Sequence, residues 1–416
     1  MEGSLLGIPA VVWLGGVLAL YMAWAIGAND VANAMGTSVG SGALTIRQAV
    51  LVAAILEFSG AYLAGGHVTD TVRKGILDVG RLSPDLVLYG MLGALASAAT
   101  LLLVATRFGL PVSTTHSIVG AIVGFGSVGL GIDAVNWAKV GQIVASWFTS
   151  PFIGGALAFV IFIVVRRLIL DRSDPVAAAR RWGPVFYGVV FFVIGLVTLF
   201  KGLKNLKLDY DLPQALMGAL VLAVVGSGVG RLLLNRVRVR EEERPLRRVE
   251  RVFVVLQVLT ACAVAFAHGS NDVANSIGPL AAVVHVSAGA ELGGKAPVEP
   301  WMLMVGGIGI VAGLWTWGYR VMETVGKKIT ELTPSRGFTA ELAAAITIVL
   351  ASRLGIPVST THILVGSVLG VGLARGIGAL DLRVVGNILI SWVATVPIAA
   401  VLSIFFFYFF KGLLTP

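Results

Sequence analysis

Charge is scarce in this chain. Asp, Glu, Lys and Arg make up 13% of its 416 residues, against about 25% in soluble domains. So few charges cannot cover a water-facing surface, which excludes a soluble globular protein. Cysteine is scarcer still: Cys262 stands alone, so no internal disulfide can staple the fold. No basic segment precedes the first apolar run, and no small-residue cleavage pattern appears before Gly27. That run reads as a first span and not as a removed leader. Strict apolar–polar alternation is also missing, which argues against a β-barrel and for helical spans.

Apolar residues fill the space that charge leaves. They reach 57%, and the mean hydropathy is +0.91. The 52 glycines suit helices whose backbones approach closely in lipid. The formal charge of +9 is concentrated in two connecting segments. Residues 166–181 hold five Arg against two Asp, and residues 231–251 hold eight Arg against four Glu. These read as solvated loops on the cytoplasmic side of a membrane, not as a nucleic-acid surface.

Spans of about 20 residues can be placed at 8–26 with a continuation to about 44, 48–66, 85–106, 112–131 and 137–165. Two more, 184–200 and 214–231, lie between the basic loops. The second half gives 252–284, 301–320, 338–352, 358–374 and 384–410. The expected fold class is therefore an all-α polytopic membrane protein with about twelve transmembrane helices.

The two halves repeat each other. GANDVANAMG (27–36) returns as GSNDVANSIG (269–278), which sets Asp30 against Asp272. RFGLPVSTTHSIVGAIVG (107–124) returns as RLGIPVSTTHILVGSVLG (353–370), with 11 of 18 positions identical. GQIVASW (141–147) faces GNILISW (386–392). Three blocks in one order indicate an internal duplication. The expected units are an N-terminal repeat (1–165), a central piece of basic loops and two spans (166–251), and a C-terminal repeat (252–416). Five spans plus two is odd, so the second repeat starts on the opposite side from the first. That describes two inverted-topology repeats, with broken helices or re-entrant hairpins. Both termini then lie outside the cytoplasm. Glu2, with no Lys or Arg before Arg47, agrees; Arg73, Lys74 and Arg81 land outside and do not.

A carboxylate inside a span costs about 2.5–3.5 kcal/mol on insertion scales. Asp30 and Asn33 share a helix face, as do Asn29 and Asn33. Gly27 and Gly36 would permit unwinding, and freed carbonyls beside a carboxylate and amides suit a small hard cation. Asp30, Asn29, Asp272 and Asn271 are the candidate cation ligands. The PVSTTH runs read as buried helix starts, with Pro111 and Pro357 in place and Ser as N-cap. Their free N–H groups, with Ser113, Thr114, Thr115, Ser359, Thr360 and Thr361, would take a tetrahedral oxyanion, joined by Asn33 and Asn275. His116 and His362 close these runs and suit packing or a bond to the hairpin. His67, His268 and His285 lack repeated context and read as interfacial or structural. Glu57 and Glu341 lie deep in apolar runs, and Gln142 and Asn387 match each other; all four are candidates for gating or an extra cation.

These paired motifs closely resemble those of the inorganic phosphate transporter (PiT) family, over nearly the whole chain. The resemblance implies an inverted-repeat secondary transporter of the cell (inner) membrane, with no catalytic residues. It would import inorganic phosphate by alternating access with sodium. Proton-coupled and metal–phosphate symport remain alternatives, as does a sulfate transporter of the same fold. Sodium would be co-transported, no further cofactor is implied, and a homodimer is left open. The large central hydrophilic domain of animal members is missing. Bringing a phosphate dianion into a cell at 100 mV negative costs about 4.6 kcal/mol; two monovalent cations at Asp30 and Asp272 would cancel it. An anion channel would need a ring of positive residues, and the repeated motif cores contain no Lys or Arg. An intramembrane hydrolase using Ser113 and His116 would have no use for an inverted second copy.

Overall fold

The computed structural model describes residues 4–5, 8–65, 76–77, 83–199, 210–236, 245–289, 298–353 and 358–415. Glu2, His67, Arg73, Lys74, Arg81 and Pro357 lie outside them. Beyond a two-residue antiparallel pairing of Ser4–Leu5 with Ile8–Pro9 and two isolated bridges, the described regular structure is helical.

The first half runs through α1 (Ala10–Gly40), α2 (Ile46–Ala64), α3 (Pro84–Arg107), α4 (Thr114–Gly129) and α5 (Trp137–Val165). Next come α6 (Pro175–Val197) and α7 (Leu212–Arg236). The second half runs through α8 (Pro245–Asp272), α9 (Ala274–Ser287), α10 (Pro300–Thr316) and α11 (Tyr319–Glu323). It closes with α12 (Pro334–Arg353), α13 (Thr360–Ala374) and α14 (Leu382–Leu414).

Local chemistry sets the starts. Thr45 and Gln48 form a capping box on α2. Ser83 caps α3 ahead of Pro84, and Asp174 caps α6 ahead of Pro175. Proline suits that first helical position because its missing N–H would have had no helical partner. Asn136 caps α5 and Asp381 caps α14. The turns before these last two use matched glycines, Gly131 at φ 98° and Gly376 at φ 107°, where a side chain would be strained.

Seven described helical runs are long and apolar enough to cross a membrane, and α10 with the bent segment Tyr319–Lys328, angled at 56°, makes an eighth. The expected spans at 112–131 and 358–374 take a different form. α4 has 16 residues and α13 has 15. At 1.5 Å per residue each reaches roughly 24 Å, short of a hydrocarbon core of about 30 Å. Both begin in the protein interior.

The halves interlock. α5 packs on α13 and α4 on α14, while α1 lies along α10 and α2 along α8. α6 and α7 pair chiefly with each other. The α5–α13 crossing is a backbone contact: a Cβ on Gly370 would run into the Gly155 carbonyl. This is small-residue packing as lipid-embedded helices require it.

One expectation is corrected. Gly27 and Gly36 do not unwind the first motif, because α1 continues through both. A Cβ on Gly27 would meet the Ile310 carbonyl, so this glycine admits α10. Only the second copy is interrupted, at Val273 between α8 and α9. There the Val273 carbonyl accepts both Ser276 N–H (3.1 Å) and Ile277 N–H (3.0 Å). The second copy also carries Pro279 where the first has Thr37. Proline withdraws one helical donor and crowds the carbonyl four residues back.

Candidate functional site

The two PVSTTH runs begin their helices in the same way. Ser113 caps α4 by accepting His116 N–H at 3.2 Å. Ser359 caps α13 by accepting His362 N–H at 3.2 Å. Both helix starts are buried. Two positive helix ends and several hydroxyls therefore converge inside the bundle, as an anion requires.

Each carboxylate motif meets the hydroxyl run of the other half. Asn33 Nδ2 donates to Thr361 Oγ1 at 2.8 Å, and Thr361 Oγ1 donates to Asp30 Oδ1 at 3.3 Å. Reciprocally, Asn275 Nδ2 donates to Thr114 Oγ1 at 3.2 Å. Thr360 Oγ1, within its own half, reaches Asp272 Oδ2 at 3.4 Å. Asn271 Nδ2 donates to Asp272 Oδ1 at 3.1 Å. Asn29 sits beside this cluster and ties down the loop before α4. It donates to Thr106 Oγ1 (2.9 Å) and the Leu110 carbonyl (3.0 Å), and accepts Val112 N–H (3.2 Å). Thr115 is half-buried in the first turn of α4.

The residue that joins both carboxylates is His268, which the sequence reading made interfacial or structural. It is buried. Its Nε2 lies 2.9 Å from Asp272 Oδ2 and 3.8 Å from Asp30 Oδ2, and its Nδ1 lies 3.4 Å from Glu57 Oε1. Asp30, His268 and Asp272 offer ligand atoms all within 4.8 Å of one another. Sequence carried one usable signal: His268 stands four residues before Asp272, on the same helix face. The first copy has Ile26 there, so a search for repeated residues passes over it.

A model of the phosphate transporter family matches residues 26–403. The chain belongs to that family. This phosphate transporter is 50% identical, over 94% of its length and 96% of the other's, to a candidate phosphate permease of Pyrococcus abyssi. It is 46% identical to inorganic phosphate transporter 2-1 (chloroplastic) of Arabidopsis thaliana, over 95% of this chain and 71% of that one. A solved structure of a sodium-dependent phosphate transporter superposes with a TM-score of 0.88 at 42% identity, covering 97% of this chain and all of that one. The transporter is a multi-pass membrane protein and not an enzyme.

Glu57 joins the central cluster through His268, but Glu341 does not. Glu341 is buried about two helical turns along α1, where it accepts from Thr37 Oγ1, from Ser38 Oγ at 2.9 Å and from Thr260 Oγ1 at 2.5 Å. Gln142 and Asn387 are not brought to the transporter's site. Both side chains are exposed on the outer faces of α5 and α14, and their neighbours Ile143 and Ile388 point inward instead. His116 and His362 meet edge to face at 4.2 Å between ring centres. Trp147 stacks on His116 and Trp392 on His362, each at 3.6 Å.

Proposed function

We propose that this phosphate transporter imports phosphate with sodium by alternating access between inverted halves. Phosphate would bind between the N-termini of α4 and α13, held by Ser113, Thr114, Thr115, Ser359, Thr360 and Thr361 with Asn33 and Asn275. Sodium ions would sit at Asp30 and Asp272, with Asn271 beside them and Asn29 fixing the adjoining loop. The observation that carries the reading is the reciprocal pairing of Asn33 with Thr361 and of Asn275 with Thr114. It brings two carboxylates and two anion-seeking helix ends into one buried volume. The matched caps and the matched turn glycines support a duplication, whose halves this reading sets in opposite orientation. The two basic segments would then face the cytoplasm.

Glu341 has no basic partner among the described residues. An unpaired buried carboxylate is costly, which suits an extra cation site of hydroxyls and carboxylate.

The test is equilibrium phosphate binding with and without sodium, for wild type, Asp30→Asn and Asp272→Asn. The amide keeps shape and removes charge. Affinity should fall in sodium and hold or rise without it, because a repulsive charge has gone. Equal loss in both conditions would refute the cation assignment. A second reading, metal–phosphate symport, is favoured by the imidazole among the carboxylates, since nitrogen ligands suit transition metals. It requires manganese or zinc to replace sodium in the same binding experiment.

A further inference from the structure

Behind the two helix starts stands a column of four rings, Trp147, His116, His362 and Trp392, with successive centres 3.6, 4.2 and 3.6 Å apart. They come in turn from α5, α4, α13 and α14, and all four are buried. Each histidine stands two residues after a threonine of its run, Thr114 or Thr360. Two residues turn a helix by about 200°, so each ring lies on the far side of its helix from that hydroxyl. Both nitrogens of His116 are buried and have no hydrogen-bond partner among the described residues. What His116 brings to the column is its ring.

Two hydrogen bonds lock the column across the halves. Trp392 Nε1 donates to the Pro111 carbonyl at 3.0 Å, two residues before Ser113. His362 Nδ1 donates to the Trp147 carbonyl at 3.2 Å. That carbonyl is free because its helical donor would be the N–H four residues on, and Pro151 stands there. In α14 the proline is Pro397, five residues after Trp392. Val396 N–H therefore remains for the Trp392 carbonyl, and His116 finds no free acceptor. Matched glycines let the helices close on the column. Gly120 and Gly366 each follow their histidine by four residues, and a Cβ on them would run into the Val396 and Pro151 carbonyls.

We propose that Trp147, His116, His362 and Trp392 are positioning residues for phosphate, which hold the two helix starts at one spacing and one mutual angle. The proposal rests on phosphate lying between those starts, and not on the sodium assignment. A helix end acts on an anion only within its first turn. An anion shared by two such ends binds only the molecules in which both are in place, and its apparent Kd rises as that fraction falls. The central contact, His116 on His362, joins the two short helices to each other. The outer contacts tie each of them to a membrane-long helix, α5 or α14. The column thus runs from one long helix to the other through both halves of the anion site.

The test is equilibrium binding of inorganic phosphate to the whole purified transporter, read as both Kd and the number of sites per chain. A variant that only misfolds loses sites, whereas a mispositioned site is kept and binds more weakly. His116→Leu removes two ring contacts, and its Kd should rise about fivefold with the sites retained. His116→Phe returns a ring without nitrogens and should rescue most of that loss. Trp392→Phe keeps a ring against His362 but strips the Pro111 carbonyl of its donor, and should also raise Kd about fivefold. Fewer sites at an unchanged Kd in His116→Leu would make the column a folding element only and overturn the proposal. So would failure of His116→Phe to rescue, or an unchanged Kd in Trp392→Phe. Ser113→Ala with Ser359→Ala separates the column from the site itself. If that pair weakens binding and the column variants do not, the column alone is refuted. If it leaves Kd unchanged, phosphate lies elsewhere and the role of the column falls with the site.

Discussion

His268 meets three carboxylates, and a single substitution can separate its part from theirs. His268→Phe keeps the bulk but leaves Asp30, Asp272 and Glu57 facing one another without a donor between them. Breaking a buried charged network in this way costs about 3–5 kcal/mol. A bound cation would restore the balance. The thermal midpoint of His268→Phe should therefore fall without sodium and recover on adding it, with a sodium-induced rise larger than in wild type. An equal rise in both proteins would remove the cation from this cluster. At the hydroxyl runs, Ser113→Ala with Ser359→Ala removes two N-caps, each worth about 1 kcal/mol, together with two candidate phosphate donors. Phosphate affinity should drop while purified yield stays near wild type. Unchanged affinity would make the caps structural only.

Helix packing depends on where a side chain is forbidden. Gly370 faces the Gly155 backbone across the α5–α13 contact, whereas Gly378 has nothing near it. Gly370→Val should lower stability by about 1–3 kcal/mol, the usual cost of overpacking, and Gly378→Val should be close to neutral; paired melting curves in detergent decide it. Sequence reached some of these elements and missed others for identifiable reasons. The helix starts at Ser113 and Ser359 were legible because Pro, Ser and Thr have strong local preferences. The continuity of α1 through GANDVANAMG was not, because glycine signals both unwinding and close approach, and only the position of Ile310 distinguishes them. Gln142 and Asn387 looked functional because they repeat. They are exposed because duplication copies outer faces as faithfully as inner ones. His268 and the pairing of each Asn with the opposite hydroxyl run are long-range facts, and a search for repeated motifs is blind to them.

For the whole molecule, the proposed inversion of the halves makes a claim about sidedness. In a Cys262→Ala background, Gly3→Cys and Thr415→Cys should react with an impermeant thiol reagent added to intact cells, and Glu242→Cys should react only after permeabilisation. Opposite sidedness of positions 3 and 415 would break the inverted arrangement, and outside labelling at 242 would reverse it.

The exchange of partners between halves, Asn33 with Thr361 and Asn275 with Thr114, also has a genetic consequence. A lesion in one half alters a surface that the other half completes. Compensating changes should then arise in trans along the chain. Revertants selected for phosphate-dependent growth from an Asn33→Asp parent should carry second-site changes concentrated in 358–374, and those from Asn275→Asp in 111–129. If suppressors instead cluster beside the original lesion, each half makes its own site and the partnership across the chain is only a matter of packing.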